Sequence, residues 1–150
     1  MRLIIQRVTE ASVIIQESIK GKIQKGLLIL IGIEENDTEQ DAEYLAQKSI
    51  NLRIFSDIEG KMNLSLLDIA GDILLISQFT LYASTKKGNR PSFIKAAKPE
   101  MAIPLYQKMI ALLEKYLDKP IQTGEFGADM KVNLCNDGPV TIIIDSKIKE

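Results

Sequence analysis

An uninterrupted apolar run in the first quarter of the chain is the strongest constraint on the fold. The segment "KIQKGLLILIGI" predicts a strand and is continuously apolar in its second half, residues 26–33. A strand with one wet face alternates apolar and polar residues, so a continuous run indicates burial on both faces. A second run, "DILLISQFTLYA" at residues 72–83, predicts another strong strand. We expect the first of these strands to lie in the core.

Further strands are predicted at both ends of the chain. "RLIIQRV" and "ASVIIQ" are rich in β-branched residues and are joined by Thr9 and Glu10, which predicts a hairpin. "LRIF" predicts a short strand. "TGEFGADMKVNLCN" and "PVTIIID" predict two closing strands around a turn at Asp137-Gly138-Pro139.

Two helices are predicted between these strands. Asp37 or Thr38 can cap a helix that follows "ENDTEQD". Pro99 suits the first turn of a second helix, and Pro104 should shorten or kink it. Many strands and two main helices, without βαβ alternation, predict an α+β fold with mixed or antiparallel sheets in a barrel-like core. A length of 150 residues suits one domain spanning residues 1–150.

The composition excludes several kinds of chemistry. The chain has no histidine and one cysteine, Cys135, which rules out Ser-His-Asp and Cys-His catalysis and a Cys/His zinc cluster. Cys135 lies in an apolar segment and is expected to be buried. The acidic residues show no ligand-like spacing, so no metal and no cofactor are expected. No run approaches the ~20 apolar residues of a membrane span, so we expect a cytoplasmic protein without a membrane partner.

A basic segment, "KKGNRPSFIKAAK", follows the second buried strand. It carries Lys86, Lys87, Arg90, Lys95 and Lys98, while the whole chain has a net charge of −1. A charge cluster of this kind is either a solvated loop or a local nucleic-acid patch. Composition alone leaves both interpretations open.

Two polar stretches could carry chemistry. Ser77, Gln78, Phe79 and Thr80 end an apolar strand, where a rigid scaffold often presents functional groups. Side chains alternate along a strand, so we expect Ser77 and Phe79 to share one face of the sheet and Gln78 and Thr80 to share the other. "NDGPVT" at 136–141 contains Gly138, which lets the backbone approach another molecule closely. The simpler interpretations are a strand with a wet face and an ordinary β-turn.

Taken together, four motifs resemble one protein family. "SQFTLYA" (77–83), "KGNRPSF" (87–93), "FGADM" (126–130) and "NDGPVT" (136–141) are similar to the D-aminoacyl-tRNA deacylases, also called D-tyrosyl-tRNA deacylases. "MRLIIQRVTEASV" at the start and "LRIF…GKMNLSLLD" in the middle are similar too. The resemblance covers the chain in order, apart from its last few residues.

The resemblance implies an activity and an assembly. Proteins of this family are homodimers that hydrolyse the ester between a D-amino acid, or mischarged glycine, and the 3′ end of tRNA. The family's Ser-Gln-x-Thr motif corresponds to Ser77, Gln78 and Thr80, with Phe79 at the variable place. Its Gly-Pro motif corresponds to Gly138-Pro139, a cis bond that reaches into the partner subunit's site and rejects L-amino acids by collision.

Further roles follow from the same resemblance. Arg7 is expected to hold the Gly-Pro segment, and Phe126 and Met130 to form walls for the terminal adenine. The cations expected to meet tRNA phosphates are Lys86, Lys87 and Arg90. An activated aminoacyl ester needs an oriented water and an oxyanion donor, which backbone N–H groups and the tRNA 2′-hydroxyl could supply without histidine. Thr80 as a covalent nucleophile is the competing mechanism.

Three other functions stay open from the sequence. The chain could be a catalytically inactive module that binds the tRNA acceptor stem, or a dimer with only a structural role. It could also remove a different misplaced amino acid, such as L-alanine.

Overall fold

The computed structural model describes residues 1–149 and shows an α+β fold with two helices, which confirms the predicted fold class. A six-stranded mixed sheet forms the centre, and a separate two-stranded sheet lies beside it. The strands are β1 (Arg2–Ile15), β2 (Ser18–Ile23), β3 (Gly26–Gly32), β4 (Phe55–Ser56), β5 (Met62–Leu64), β6 (Asp72–Ser77), β7 (Gln122–Thr123) and β8 (Lys131–Asp145). The helices are α1 (Glu39–Asn51) and α2 (Pro99–Leu117).

The large sheet nearly closes into a barrel. Strand β1 pairs antiparallel with β3 through its first half and with β2 through its second half. Strand β6 joins β3 in parallel, and β7 joins β6 in parallel. Strand β2 then returns to β7: a Cβ atom at Gly21 would lie 3.0 Å from the carbonyl oxygen of Thr123. Both apolar strands are present: β3 is buried in the centre of the sheet, as expected, and β6, which was predicted only as a strand, is buried beside it.

The strand boundaries at the start of the chain differ from the prediction. The predicted hairpin at Thr9 and Glu10 is wrong, because β1 runs through both residues as one strand. At this point the partner of β1 changes from β3 to β2, so both residues are exposed without any turn in the chain. The hairpin turn instead lies between β1 and β2, and residues 24 and 25 separate β2 from β3 within the segment predicted as a single strand.

The end of the chain also differs. The two predicted closing strands are one strand, β8, paired antiparallel with β1. It begins only at Lys131, so residues 124–130, which were predicted as part of the first closing strand, form a loop instead. Asn136 pairs with Val8 and Thr141 pairs with Gln6, so residues 137–140 bulge out opposite Arg7 alone. We call residues 137–140 the Gly-Pro loop. Tertiary pairing with β1 on both sides of the bulge keeps the strand continuous despite its turn-like composition.

Both helices cover one face of the sheet. Thr38 is the N-cap of α1, one of the two caps predicted, and the Asp41 carboxylate accepts the backbone N–H of Thr38 at 2.8 Å. Helix α2 starts at Pro99 as predicted, but it is not shortened at Pro104, which lies early in the helix. The apolar stripes of α1 and α2 pack with β1, β3 and β6 in the main hydrophobic cluster. Within residues 1–149 no helix is long and apolar enough to cross a membrane.

Cys135 is exposed, so the prediction of a buried thiol is wrong. Strand β8 pairs only with β1 and forms an edge of the sheet. Cys135 stands opposite the exposed Glu10 on this edge strand. Its apolar neighbours in the sequence did not reveal this edge position.

Candidate functional site

A cleft of about 600 Å³ opens where β6 ends. Residues 77–79 form one wall and residues 126–130 form the facing wall, and we call this space the motif cleft. The rest of its lining comes from the segment between Phe93 and Ala102 and from four single residues: Ile31, Ile33, Ile76 and Val132. Ser77, Gln78, Phe79, Phe126 and Met130, which the sequence singled out, all line it.

The motif wall does not continue the strand. Strand β6 ends at Ser77, and Phe79–Tyr82 form a short 3-10 helix, so the predicted strand alternation through Thr80 is wrong. The N–H of Gln78 donates to the carbonyl of Ile31 on β3 at 2.7 Å, which fixes the point where the chain turns. The Gln78 side chain then donates from Nε2 to the Thr80 hydroxyl oxygen at 2.5 Å.

The start of this 3-10 helix leaves two donors unused. The first N–H groups of a helix have no acceptor within it. Among residues 1–149, nothing accepts a hydrogen bond from the N–H of Phe79 or of Thr80. Phe79 lines the motif cleft and Thr80 follows it directly. Two neighbouring peptide donors are therefore available at the wall that the sequence motif builds.

The facing wall is a loop between β7 and β8. Gly124 donates its N–H to the carbonyl of Leu75 at 3.3 Å, which ties the start of the loop to β6. A Cβ atom at Gly124 would lie 2.4 Å from the sulfur of Met130, so only glycine lets Met130 pack here. The ring of Phe126 packs at 5.9 Å, between centroids, from the ring of Tyr106 on α2.

Charge is sparse in the motif cleft. Asp129 is the one ionisable side chain among the lining residues, and its carboxylate pairs with the Lys131 ammonium at 2.8 Å. The remaining lining is apolar or consists of hydroxyl, amide and peptide groups. Within residues 1–149, no three acidic or cysteine side chains come together in a way that could hold a metal ion. The cleft can therefore offer peptide donors and apolar surface, but little general-base chemistry.

The basic segment forms a loop that starts beside the cleft and is closed at its base by backbone hydrogen bonds. Ser84 and Ser92 exchange backbone hydrogen bonds of 2.8 and 2.9 Å, which closes the base of residues 85–91, the basic loop. The ring of Phe93 stands edge-on to Phe79, with 5.1 Å between centroids. The cations at the tip are all exposed: Lys86, Lys87 and Arg90.

The Gly-Pro loop lies apart from the motif cleft within one chain. None of its residues lines the cleft, nor does Arg7. Arg7 is buried and donates from Nε to the carbonyl of Asp137 at 3.0 Å and from Nη1 to the carbonyl of Ile54 at 2.5 Å. Gly138 and Pro139 are exposed, and the peptide bond between them is cis.

Asn136 closes the base of this loop, a role that the sequence did not reveal. Its side-chain oxygen accepts the N–H of Val140 at 2.9 Å, and its Nδ2 donates to the Thr141 hydroxyl at 3.1 Å. Asparagine is common in turns, so its position before Asp137-Gly138 indicated a local side-chain hydrogen bond. The sequence did not indicate which groups this side chain binds. Phe93 was missed because it lies in the basic segment, where no local pattern marks its contact with Phe79. Tyr106 was missed because an aromatic residue in the apolar stripe of a helix is usually core.

The described residues define an α+β protein in which a nearly closed sheet, covered by two helices, opens into a partly apolar cleft beside unbonded peptide N–H groups. The sequence model of the family described as D-Tyr-tRNA(Tyr) deacylase matches residues 4–145. A D-aminoacyl-tRNA deacylase of Flavobacterium psychrophilum is 64% identical over 150 residues, which is 100% of both chains. The chain therefore belongs to the D-Tyr-tRNA(Tyr) deacylase family.

Solved structures agree with the fold. A structure described as c-Myc DNA Unwinding Element Binding Protein is similar with a TM-score of 0.90 and 39% identity, covering 97% of this chain and 98% of that one. A probable eukaryotic D-amino acid tRNA deacylase shares the fold with a TM-score of 0.81 at 16% identity, over 95% of this chain and 97% of that one.

Proposed function

We propose that this chain hydrolyses the ester that joins a D-amino acid, or mischarged glycine, to the 3′ end of tRNA, and so removes amino acids of the wrong hand before translation uses them. The observation that carries the proposal is the pair of unused peptide donors at Phe79, which lines the motif cleft, and at Thr80, which follows it in the chain. A developing oxyanion needs donors of this kind. The proposal includes a cytoplasmic location, where charged tRNA is used.

The proposed mechanism uses water, not a covalent intermediate. An aminoacyl ester is already reactive, so an oriented water and an oxyanion donor are sufficient. The Thr80 hydroxyl oxygen accepts a hydrogen bond from Gln78, and no lining group is placed to take its proton, which argues against Thr80 as a nucleophile. The free 2′-hydroxyl of the terminal adenosine would position or deprotonate the water. Ser77 and Gln78 shape the wall against which the ester lies.

Selection by hand is proposed to come from a second copy of the chain. Gly138 and Pro139 are exposed and lie outside the motif cleft of their own chain, although both belong to the family motif. Hydrogen bonds to the side chains of Arg7 and Asn136 fix the base of the loop, so its exposed residues can keep one conformation. In a homodimer the loop would enter the partner subunit's cleft and collide with an L side chain, while D-amino acids and glycine pass.

The tRNA is proposed to bind along the basic loop and the far wall. Lys86, Lys87 and Arg90 are exposed directly after the motif wall and would contact phosphates without reading sequence. Phe126 and Met130 present apolar surface in the cleft, which suits the terminal adenine. One enzyme could then serve many tRNAs.

A deacylation assay tests the activity. We expect rapid release from D-tyrosyl-tRNA and glycyl-tRNA, and little from L-tyrosyl-tRNA. Replacing the terminal 2′-hydroxyl by hydrogen should slow release strongly if the RNA assists. If none of these esters is cleaved while acceptor-stem RNA still binds, the chain is an inactive binding module instead.

Subunit mixing tests the shared site. Gly138→Ala should damage only the loop, and Phe79→Pro, which removes one donor, only the cleft. When Gly138→Ala subunits are co-refolded with an excess of Phe79→Pro subunits, the working site of each heterodimer combines an intact cleft with an intact loop, so the D-to-L ratio of kcat/KM should return towards that of wild type. Each variant refolded alone is the control. No recovery in mixtures that form heterodimers would refute the shared site.

A second candidate function is DNA binding, because the relative at 39% identity is described as binding a DNA element. The exposed cations of the basic loop would contact DNA phosphates as well as RNA phosphates. Competition of duplex DNA against deacylated tRNA distinguishes the two, and we expect tRNA to bind more tightly.

A further inference from the structure

We propose that Tyr106 is a positioning residue that sets the spacing between the two walls of the motif cleft. This role rests on the proposed deacylase function. Tyr106 lies on α2, is 5% exposed, and does not itself line the cleft. It therefore touches no substrate and can act only through the residues that do.

The hydroxyl of Tyr106 reaches the place where the two walls diverge. It donates to the carbonyl of Leu75 on β6 at 3.0 Å, and the same carbonyl accepts the N–H of Gly124 at 3.3 Å. Leu75 precedes Ser77 by two residues, and Gly124 precedes Phe126 by two residues. One carbonyl oxygen thus joins the start of both walls, and Tyr106 holds that oxygen from the helix side.

The ring of Tyr106 supports the far wall as well. Its centroid lies 5.9 Å from that of Phe126, with the ring planes tilted by 56°. Because aromatic pairs prefer particular ring orientations, this contact restrains the ring of Phe126 more than an aliphatic side chain would. Tyr106 consequently contacts β6 through its hydroxyl and the facing loop through its ring.

The hydroxyl remains a donor under all working conditions. Burial raises the pKa of Tyr106 to about 12, so the group stays protonated at neutral pH. A buried carbonyl bonded by two donors has little freedom to move. Because misplacement of reacting groups by a fraction of an ångström lowers catalytic rates, loss of this bond should reach the chemistry and not only the stability.

Tyr106→Phe is the test, since it keeps the ring and removes the hydroxyl. We expect kcat on D-tyrosyl-tRNA to fall about three- to tenfold with KM within about twofold of wild type, the range that one hydrogen bond supports. Tyr116→Phe is the matched control: it lies on the same helix, and its hydroxyl bonds Glu43 on α1, away from the cleft. Tyr116→Phe should change neither kcat nor KM, although both variants should lose some thermal stability.

Two further readings make the test decisive. Tyr106→Leu also removes the ring contact with Phe126, so KM should rise in addition to the fall in kcat. In amide spectra, Tyr106→Phe should move the signals of Gln78, Phe79 and Phe126, and Tyr116→Phe should leave them in place. A folded Tyr106→Phe protein with wild-type kcat overturns the role of Tyr106, provided that wild type is active. An inactive wild type overturns the proposed function itself, and the role with it.

Discussion

The motif cleft and the Gly-Pro loop are held in opposite ways. Strands that are distant in sequence build the cleft, and backbone bonds fix its walls: Gln78 to Ile31, and Gly124 to Leu75. The Gly-Pro loop is four residues that stand opposite a single residue of β1, and side chains hold it: Arg7 and Asn136. The motif cleft encloses a space within the chain. Gly138 and Pro139 of the Gly-Pro loop are exposed, and the loop does not line that cleft.

This difference indicates how the two regions divide the proposed work. A cleft with backbone-fixed walls suits binding and rate acceleration, because peptide groups do not change rotamer. A small loop clamped from behind suits steric rejection, because it must project and stay rigid. Each region should therefore fail in its own way: cleft changes should alter rate or affinity, and loop changes should alter the discrimination between D and L substrates.

The largest expected effect is on the loop. Gly138 has φ +129°, and a Cβ atom there would lie 2.9 Å from Nη2 of Arg7 and 2.9 Å from Val140. Gly138→Ala should displace the loop and lower the D-to-L ratio of kcat/KM about tenfold or more. The measurement is parallel deacylation of D- and L-tyrosyl-tRNA.

Gly60→Ala is the control for that prediction. Gly60 also has a left-handed backbone, φ +79°, but nothing lies within 4 Å of a Cβ atom built there. It should cost some stability and leave the D-to-L ratio unchanged. If Gly138→Ala folds and keeps the wild-type ratio, rejection of L-amino acids does not depend on the loop.

A smaller effect is expected at the basic loop. Neutralising Lys86, Lys87 and Arg90 together to Gln should raise KM several-fold with kcat and the D-to-L ratio unchanged. The plot of log(kcat/KM) against log salt should become shallower by about 2 to 3, the value for three lost phosphate contacts. A matched triple on other elements, Lys48, Lys61 and Lys115 to Gln, should leave the slope intact. Equal slopes for both triples would place the tRNA elsewhere.

Acid should weaken both regions together. Burial raises the pKa of Asp41, but hydrogen bonds from Lys147, Ser146 and Thr38 outweigh it and hold the pKa well below the ordinary 3.8. A depressed pKa in the folded state stabilises the protein above the unfolded value, and this contribution is lost as pH falls below about 4. Urea unfolding between pH 3 and pH 7 should show this fall, and Asp41→Asn should flatten it. An unchanged acid slope in that variant would assign the loss to other carboxylates.

The smallest effect is expected at Thr80. If the peptide donors and the 2′-hydroxyl perform the chemistry, Thr80→Ala should keep kcat within about threefold of wild type, because the N–H of residue 80 survives the change. Single-turnover deacylation measures this directly. A loss of nearly all activity in a folded variant that still binds tRNA would support Thr80 as the nucleophile.

Local sequence determined the buried elements and the motifs. The apolar runs of β3 and β6 can be buried only on both faces, and Thr38 and Pro99 mark helix starts through local backbone chemistry. These features depend on residues that are adjacent in the chain, so the sequence pattern is sufficient to predict them. The residue motifs were equally local, and they brought Ser77, Gln78, Phe126 and Met130 to notice before the cleft was seen.

Only the tertiary structure decided where each strand continues and where it ends. Thr9, Glu10 and Gly138 look like turn residues, yet β1 and β8 pass through them because pairing across the sheet continues on both sides. Conversely, β6 stops at Ser77, where Gln78 bonds to β3, although its composition favours a strand. Exposure of Cys135 and the double contact of Tyr106 follow from the same cause: pairing and packing join residues that no local pattern relates.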